Sequence, residues 1–197
     1  MNEVINLRAY TSPSNVPTLV LMDLQQEHLA SPRAFGGDLG EVLANCRAVL
    51  LRARAGGLPV AFSRLLPRPH SVEAVAPSAQ WIDGFAPTRA DMIFDRDKPS
   101  CYASTEFADV IGLGSRHFVL AGFAGETSCL ATAIDAFHRG HRVTFLSDAS
   151  ASRPFGGYDA AAAHHAVTEL IALYGSVTTT AAWIAECTRA ASMIMRR

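Results

Sequence analysis

The sequence predicts an α/β domain with a doubly wound, mainly parallel six-stranded sheet and helices on both faces, and three observations carry that prediction. Short apolar runs of strand length recur at 17–22, 58–62, 91–94, 118–121, 142–146 and 177–180. Between most of them the apolar residues fall at spacings of three and four, the period of a half-buried helix. Strands that alternate with helices pair in parallel, because each crossover returns the chain to the same end of the sheet.

Residues 1–16 are polar, include Pro13, and read as an N-terminal arm lying along the surface or over a neighbour. The run 17–22 is continuously apolar, as a central strand buried on both faces requires, and it ends in Asp23. In open α/β sheets that carboxyl edge is where ligands bind. Gln25, Gln26, Glu27 and His28 follow at the same rim. A loop containing Pro32, Gly36, Gly37 and Gly40 has Phe35 as its one large apolar side chain. Over 39–54 the residues Val42, Leu43, Cys46, Val49 and Leu50 share one face of a helix, which Gly56 and Gly57 end.

The second strand, 58–62, is followed by Arg64. Residues 65–90 carry Pro67, Pro69, Pro77, Gly84 and Pro87 with little periodicity, so they read as a long loop over the site or at a subunit contact. Trp81 and Phe85 lie within it, either pinning the loop to the body or lining a pocket. The third strand, 91–94, leads to Lys98 on the loop rim, and a short helix spans 105–112. Strand 118–121, a tight turn, a helix over 129–138 and strand 142–146 form a βαβ unit. The loop 148–157, an alanine-rich helix over 158–174, an edge strand at 177–180 and a terminal helix over 181–195 complete the chain. His164 and His165 point to different faces of their helix and read as packing or interface residues.

With 197 residues, 49% of them hydrophobic and 18% charged, the chain fits one well-packed domain. A net charge of −1 argues against nucleic acid, which needs a basic face. No run is long enough to span a membrane, and the first residues have neither an apolar core nor the pattern of a leader, so a cytoplasmic location is the expectation. Cys46, Cys101, Cys129 and Cys187 are dispersed, unlike a disulfide framework or a zinc cage.

Cys129 stands where the turn becomes the helix. Free N–H groups and the positive end of the dipole lower a thiol's pKa there and can hold an oxyanion, so Cys129 is a candidate nucleophile. The competing reading is a small buried hydrophobe.

Asp23 in LVLMDLQQEH, Lys98 in FDRDKPSCYASTEF and Cys129 in LAGFAGETSCLATAIDAFHRGHRVTFLSDASAS follow three strands. Together they resemble the isochorismatase-like cysteine hydrolases, from about Leu19 to the final helix, most strongly over 122–149. The resemblance implies a Rossmann-like fold, a catalytic triad of Asp23, Lys98 and Cys129, and a non-proline cis peptide before the cysteine. Two departures stand out: the turn from Gly122 to Cys129 is one residue longer than the family pattern, and the segment after Lys98 is shorter. Counting back from Cys129 puts the cis bond at Ala124-Gly125; counting forward from Gly122 puts it at Phe123-Ala124. The metal-binding nicotinamidases of the family carry an Asp-x-His pair and a further histidine, whereas here the stretch 63–70 offers His70 alone, so no metal and no cofactor are expected.

By this reading Asp23 moves the Cys129 proton, Lys98 keeps Asp23 ionised, and N–H groups around Ala124, Gly125 and Cys129 hold the oxyanion. A small amide or ureido compound is then hydrolysed at its C–N bond through a thioester. The alternatives are isochorismatase-type vinyl ether hydrolysis, with a protonating Asp and no thiol nucleophile, and a catalytically silent homologue serving as a binding subunit. Candidate pocket residues are Gln25, Phe35, Arg64, Trp81, Phe85, Tyr102 and Phe155, with Arg64 and Arg153 as carboxylate binders. The expected partners are a small-molecule substrate and further copies of the chain in a homo-oligomer.

Overall fold

The computed structural model describes residues 16–30, 35, 39–66 and 79–194. The arm expected at 1–16 therefore lies almost wholly outside the described residues, as do His70 and the middle of the 65–90 loop. Six parallel strands form one sheet in the order β3-β2-β1-β4-β5-β6. They are β1 (Thr18–Met22), β2 (Val60–Leu65), β3 (Met92–Arg96), β4 (His117–Gly122), β5 (Arg142–Ser150) and β6 (Ser176–Thr178). The helices are a single turn α1 (Glu27–Ala30), then α2 (Gly40–Ala55), α3 (Thr105–Leu113), α4 (Leu130–His138), α5 (Ala160–Ala172) and α6 (Thr180–Ile194).

β1 lies at the centre, with Leu19 opposite Val60 on one side and Val119 on the other, and all five of its residues are buried. Its alternate side chains feed two cores. Leu19 and Leu21 pack with Cys46, Val49 and Leu50 of α2 and with Trp183 of α6. Val20 and Met22 pack with Phe107 of α3, Cys129 and Ala133 at the start of and within α4, and Val167 of α5. Each fully buried Leu or Phe is worth about 1.5–3 kcal/mol, so both sheet faces must be covered, and the helices cover them.

Several boundaries differ from the sequence reading for local reasons. β3 runs on to Arg96 because Asp95 pairs with Arg64 and Arg96 with Leu65 in the ladder. β5 continues to Ser150 because the β4–β5 register shifts after Leu120, which brings Gly122 opposite Ser150. α5 starts later than expected because Asp159 caps it, accepting from Ala162 N–H at 2.8 Å.

The described part of the 65–90 stretch is built into the body. Trp81 bridges to Gln25, Ile82 N–H donates to Leu24 O at 2.8 Å, and Phe85 is fully buried. Phe85 thus finds its cover within one chain.

Candidate active site

β1 ends in a bend that depends on two residues. Asp23 has φ +47°, in the left-handed region that non-glycine residues seldom occupy. Its backbone is held there by its N–H donating to Ser63 O at 2.8 Å and by its carbonyl accepting from Gln25 N–H at 2.7 Å. Beside it Gly122 has φ +107°, and a Cβ at that position would collide with the Met22 carbonyl. Glycine there lets β4 approach β1 closely and brings the following turn alongside Asp23.

Asp23 is 1% exposed, and both its carboxylate oxygens accept hydrogen bonds. Oδ1 accepts from Leu65 N–H at 3.0 Å, while Oδ2 accepts from Arg96 Nη2 at 2.6 Å and from Ser128 Oγ at 2.8 Å. Arg96, 2% exposed, spreads its guanidinium over three acceptors: Asp23, Ser63 Oγ at 3.0 Å and Lys98 O at 2.9 Å. Burial raises the Asp23 carboxyl above the ordinary carboxylate range; the Arg96 charge and the donors Ser128 and Leu65 pull the other way.

The turn after β4 is a single π-helical turn, Gly125–Cys129, running into α4. Of the two peptides the sequence left open, Phe123-Ala124 is cis. Gly125 N–H donates to Ala151 O at 2.8 Å and Cys129 N–H to Ala124 O at 3.1 Å, so these two groups are already engaged by carbonyls. Among the described residues Ala124 N–H has no acceptor.

Of the three residues expected to form a triad, Asp23 lies at the centre of this cluster, and the side chains beside its carboxylate are those of Arg96 and Ser128. Lys98 is an exposed loop residue that contributes only its carbonyl, and Arg96, two residues earlier, supplies the cation beside Asp23. Cys129 is fully buried on the α3–α5 side of the sheet, its Sγ 3.8 Å from Gly122 O and from Ser150 Oγ. Burial pushes the Cys129 thiol pKa up, and the Asp23 charge adds to the shift, the opposite of what a nucleophile needs. The side chain that meets Asp23 from this turn is Ser128.

Both sequence departures have the same origin. The turn that is one residue too long when counted to Cys129 has the family's length when counted to Ser128, and the segment that is too short after Lys98 gains two residues when counted from Arg96. The spacing of the two segments points to Arg96 and Ser128, whereas residue type alone points to Lys98 and Cys129.

The other candidates separate clearly. Gln25 is fully buried, accepting from Leu65 N–H at 3.0 Å and donating to Leu65 O at 3.2 Å, so its amide fastens the end of β2. Arg64 is occupied by a bidentate pair with Asp95 at 2.9 and 2.8 Å and lies over the Trp81 ring. Phe85 is core. Tyr102 packs edge-on to Phe107 and hydrogen-bonds His141 at 2.7 Å, in the cluster beneath the sheet. Phe155 is 42% exposed and pairs with Tyr158. Phe35 does belong near the site: it meets His28 and Phe123 at ring distances of 5.6 and 4.9 Å, and Arg153 lies over it. His28, which composition and spacing did not single out, is 5% exposed beside Arg153.

His164 is a packing residue, bonded to Ser152 Oγ at 3.0 Å and Ser147 O at 2.7 Å. Among the described residues no group of three His, Cys, Asp or Glu could hold a metal ion, and no helix is long and apolar enough to cross a membrane.

This geometry sits in a fold with many solved relatives. An isochorismatase from Pseudomonas putida KT2440 superposes with a TM-score of 0.75 at 25% identity, covering 91% of this chain and 99% of that one. A cysteine hydrolase from Pseudomonas syringae pv. phaseolicola 1448A gives 0.77 at 22% identity, covering 91% and 96%. A ribonuclease from Caenorhabditis elegans shares the fold at 0.64 and 20% identity, covering 88% and 81%. No curated protein matches the chain. The isochorismatase domain model matches residues 17–182, which carry Asp23, Arg96 and Ser128 alike, and on that match the chain belongs to the isochorismatase family of hydrolases.

Proposed function

We propose that this protein hydrolyses a vinyl ether of a small carboxylic acid, with Asp23 as the proton carrier, Arg96 as its fixed counter-charge and Ser128 as a hydrogen-bond donor to it. The observation that carries this reading is the pairing of Ser128 Oγ, not a thiol, with Asp23 Oδ2 at 2.8 Å, while Cys129 lies buried in the core. Amide hydrolysis through a thioester would require a reactive thiolate at the carboxylate. A serine in that place is a poor substitute, because an alkoxide is a far stronger base than a thiolate and a carboxylate is a weak base for making one.

Acid catalysis asks less of the same residues. In an enol ether whose vinyl carbon also bears a carboxylate, Asp23 delivers its proton to the terminal CH₂, and the electron pair of the ether oxygen stabilises the cation that forms. Water adds to that carbon, giving a hemiketal. The C–O bond to the alcohol then breaks, its oxygen taking a proton, and a keto acid leaves; the proton lost by water restores Asp23. Burial helps Asp23 hold the proton it must give. Arg153, whose guanidinium has no carboxylate partner among the described residues, serves in this reading as the group that receives the substrate carboxylate.

The test is a panel of isochorismate, simpler enolpyruvyl ethers, primary amides and ureido acids. Release of pyruvate from the ethers, no ammonia from the amides, and loss of turnover in Asp23→Asn are expected. Ammonia release that depends on Ser128 or Cys129 would reject the reading.

A further inference from the structure

The stretch 150–153 lies along the turn that carries Ser128 and meets it at each residue. Ser150 Oγ donates to Gly122 O at 2.7 Å, Gly125 N–H donates to Ala151 O at 2.8 Å, and Arg153 N–H donates to Glu126 Oε2 at 3.0 Å. Ser152 makes no hydrogen bond to the turn among the described residues. Its Oγ packs on Gly125 instead, so closely that a Cβ on that glycine would collide with it.

The direction of that hydroxyl is set from α5. His164 Nε2 lies 2.7 Å from Ser147 O, a carbonyl that can only accept, so Nε2 carries a proton. In the neutral ring Nδ1 is then a lone pair, and Ser152 Oγ, 3.0 Å away, donates to it. Ser152 is 1% exposed, and this imidazole is its hydrogen-bond partner. The ring stands on a capped helix and faces Phe145 at 6.3 Å, so it is a firm support. One line of contacts therefore runs from the Ser147 carbonyl through His164 and Ser152 to Gly125, three residues before Ser128.

We propose that Ser152 and His164 are positioning residues: together they form a backstop for the Gly125–Cys129 turn and so hold Ser128 Oγ on the Asp23 carboxylate. The three hydrogen bonds from 150–153 limit how far the turn can move away. The Ser152 hydroxyl, aimed by His164, limits how far it can move in. Without that hydroxyl the turn settles toward the vacated space, and the 2.8 Å bond from Ser128 Oγ to Asp23 Oδ2 lengthens. Neither residue touches Asp23, so both act through the turn. The proposal deepens the reading above, and only its turnover readout rests on that reading.

The experiment follows the Asp23 carboxyl ¹³C resonance against pH in the wild type, Ser152→Ala, His164→Leu, His164→Asn and Thr168→Val. Ser152→Ala changes no charge, and Arg96 and Glu27, the charged groups that act with Asp23, stay in place, so a shift reports geometry. The Ser128 bond lowers the Asp23 pKa, so loosening it raises that pKa, by about half a unit to one unit. Leu and Asn both remove the imidazole and its charge, but the Asn carbonyl leaves an acceptor where Nδ1 stood. His164→Leu is therefore expected to titrate higher than His164→Asn. Thr168→Val removes only the Thr168 Oγ1 bond to the His164 carbonyl, at 2.8 Å within α5, and should leave Asp23 as in the wild type. With an enol ether as substrate, kcat in Ser152→Ala should fall about ten- to a hundredfold while KM stays within about twofold. An unmoved Asp23 titration in Ser152→Ala, a shift as large in Thr168→Val, or equal titrations in His164→Leu and His164→Asn overturns the proposal. A further readout needs no variant: a long-range ¹H–¹⁵N spectrum of the wild type at pH 8 must show His164 protonated at Nε2 and bare at Nδ1, and the opposite tautomer also overturns it. If the Asp23 titration moves as expected while the enol ethers are not cleaved, the positioning stands and the reaction assignment fails.

Discussion

Asp23 and Arg96, 73 residues apart in sequence, meet at 2.6 Å with side chains 2% and 0% exposed. Burying both charges is tolerable because each has further hydrogen bonds, Asp23 from Leu65 and Ser128, and Arg96 to Ser63 and the Lys98 carbonyl. Removing one partner leaves the other stranded. Arg96→Met is expected to lose about 3–5 kcal/mol in urea unfolding, and adding Asp23→Asn should recover much of that, because the stranded carboxylate is gone. Lys98→Ala, at an exposed position, should change stability by less than about 0.5 kcal/mol and leave turnover intact. A Lys98→Ala protein that loses activity while Arg96→Met keeps it would reverse the assignment.

The six strands were legible because burial on both faces forces long apolar runs, and all six expected runs became strands of one parallel sheet. Asp23 was legible because it ends the most apolar of them. Arg96 and Ser128 were not, since their roles depend on how far a strand continues and on which side of a turn each residue emerges. β3 extends past its apolar portion only because β2 supplies a ladder partner for Arg96. Ser128 and Cys129 are adjacent, and the one-turn π-helix sends one to the carboxylate and the other into the core. His28 was hidden because its state is set by Arg153, from a loop 125 residues away.

Stability should depend on pH through His28. Unfolded, the imidazole takes a proton near its ordinary 6.5; folded, it resists until about 4. The contribution is complete above pH 6.5 and lost as pH falls through about 4, for a total of about 3 kcal/mol. The groups facing the ring are Arg153, Arg96 and Glu27, and Glu27, whose pKa burial raises, opposes part of the trend. Urea unfolding at pH 7, 5.5 and 4.5 is expected to show a steeper loss in the wild type than in His28→Phe. Parallel curves would mean that His28 is not held neutral by the fold.

Gly122 tests the close approach that forms the site. Its φ of +107° is strained for any L side chain, and a Cβ would press on the backbone of Met22, which cannot yield without opening the β1–β4 ladder. Gly122→Ala is expected to lose about 3 kcal/mol or more, a severe effect by the standard of single substitutions. The control is Gly57→Ala: it also has positive φ, but with nothing within 4 Å it should cost about 1 kcal/mol. Similar unfolding midpoints for the two variants would show that the approach of β4 to β1 is looser than the geometry indicates.

Ser128→Ala separates acid catalysis from a covalent mechanism. If the hydroxyl serves only to bond Asp23, its removal deletes one charged hydrogen bond, worth about 1.5–3 kcal/mol, and turnover should fall roughly ten- to a hundredfold. Asp23→Asn, which removes the proton carrier itself, should cost about a hundred- to ten-thousandfold. The pH profile adds a directional check. The Ser128 bond lowers the Asp23 pKa, so deleting it raises that pKa further. Activity that requires a protonated Asp23 should then persist to higher pH in Ser128→Ala, with the basic limb of kcat/KM displaced upward. A nucleophilic serine makes the opposite demand: its loss would remove turnover at every pH, and intact-mass spectra of the wild type under turnover would show an acyl adduct on Ser128. Cys129→Ala is the companion control. With the thiol buried in the core beneath the sheet, that variant should turn over within about threefold of the wild type and lose only the packing of a small side chain.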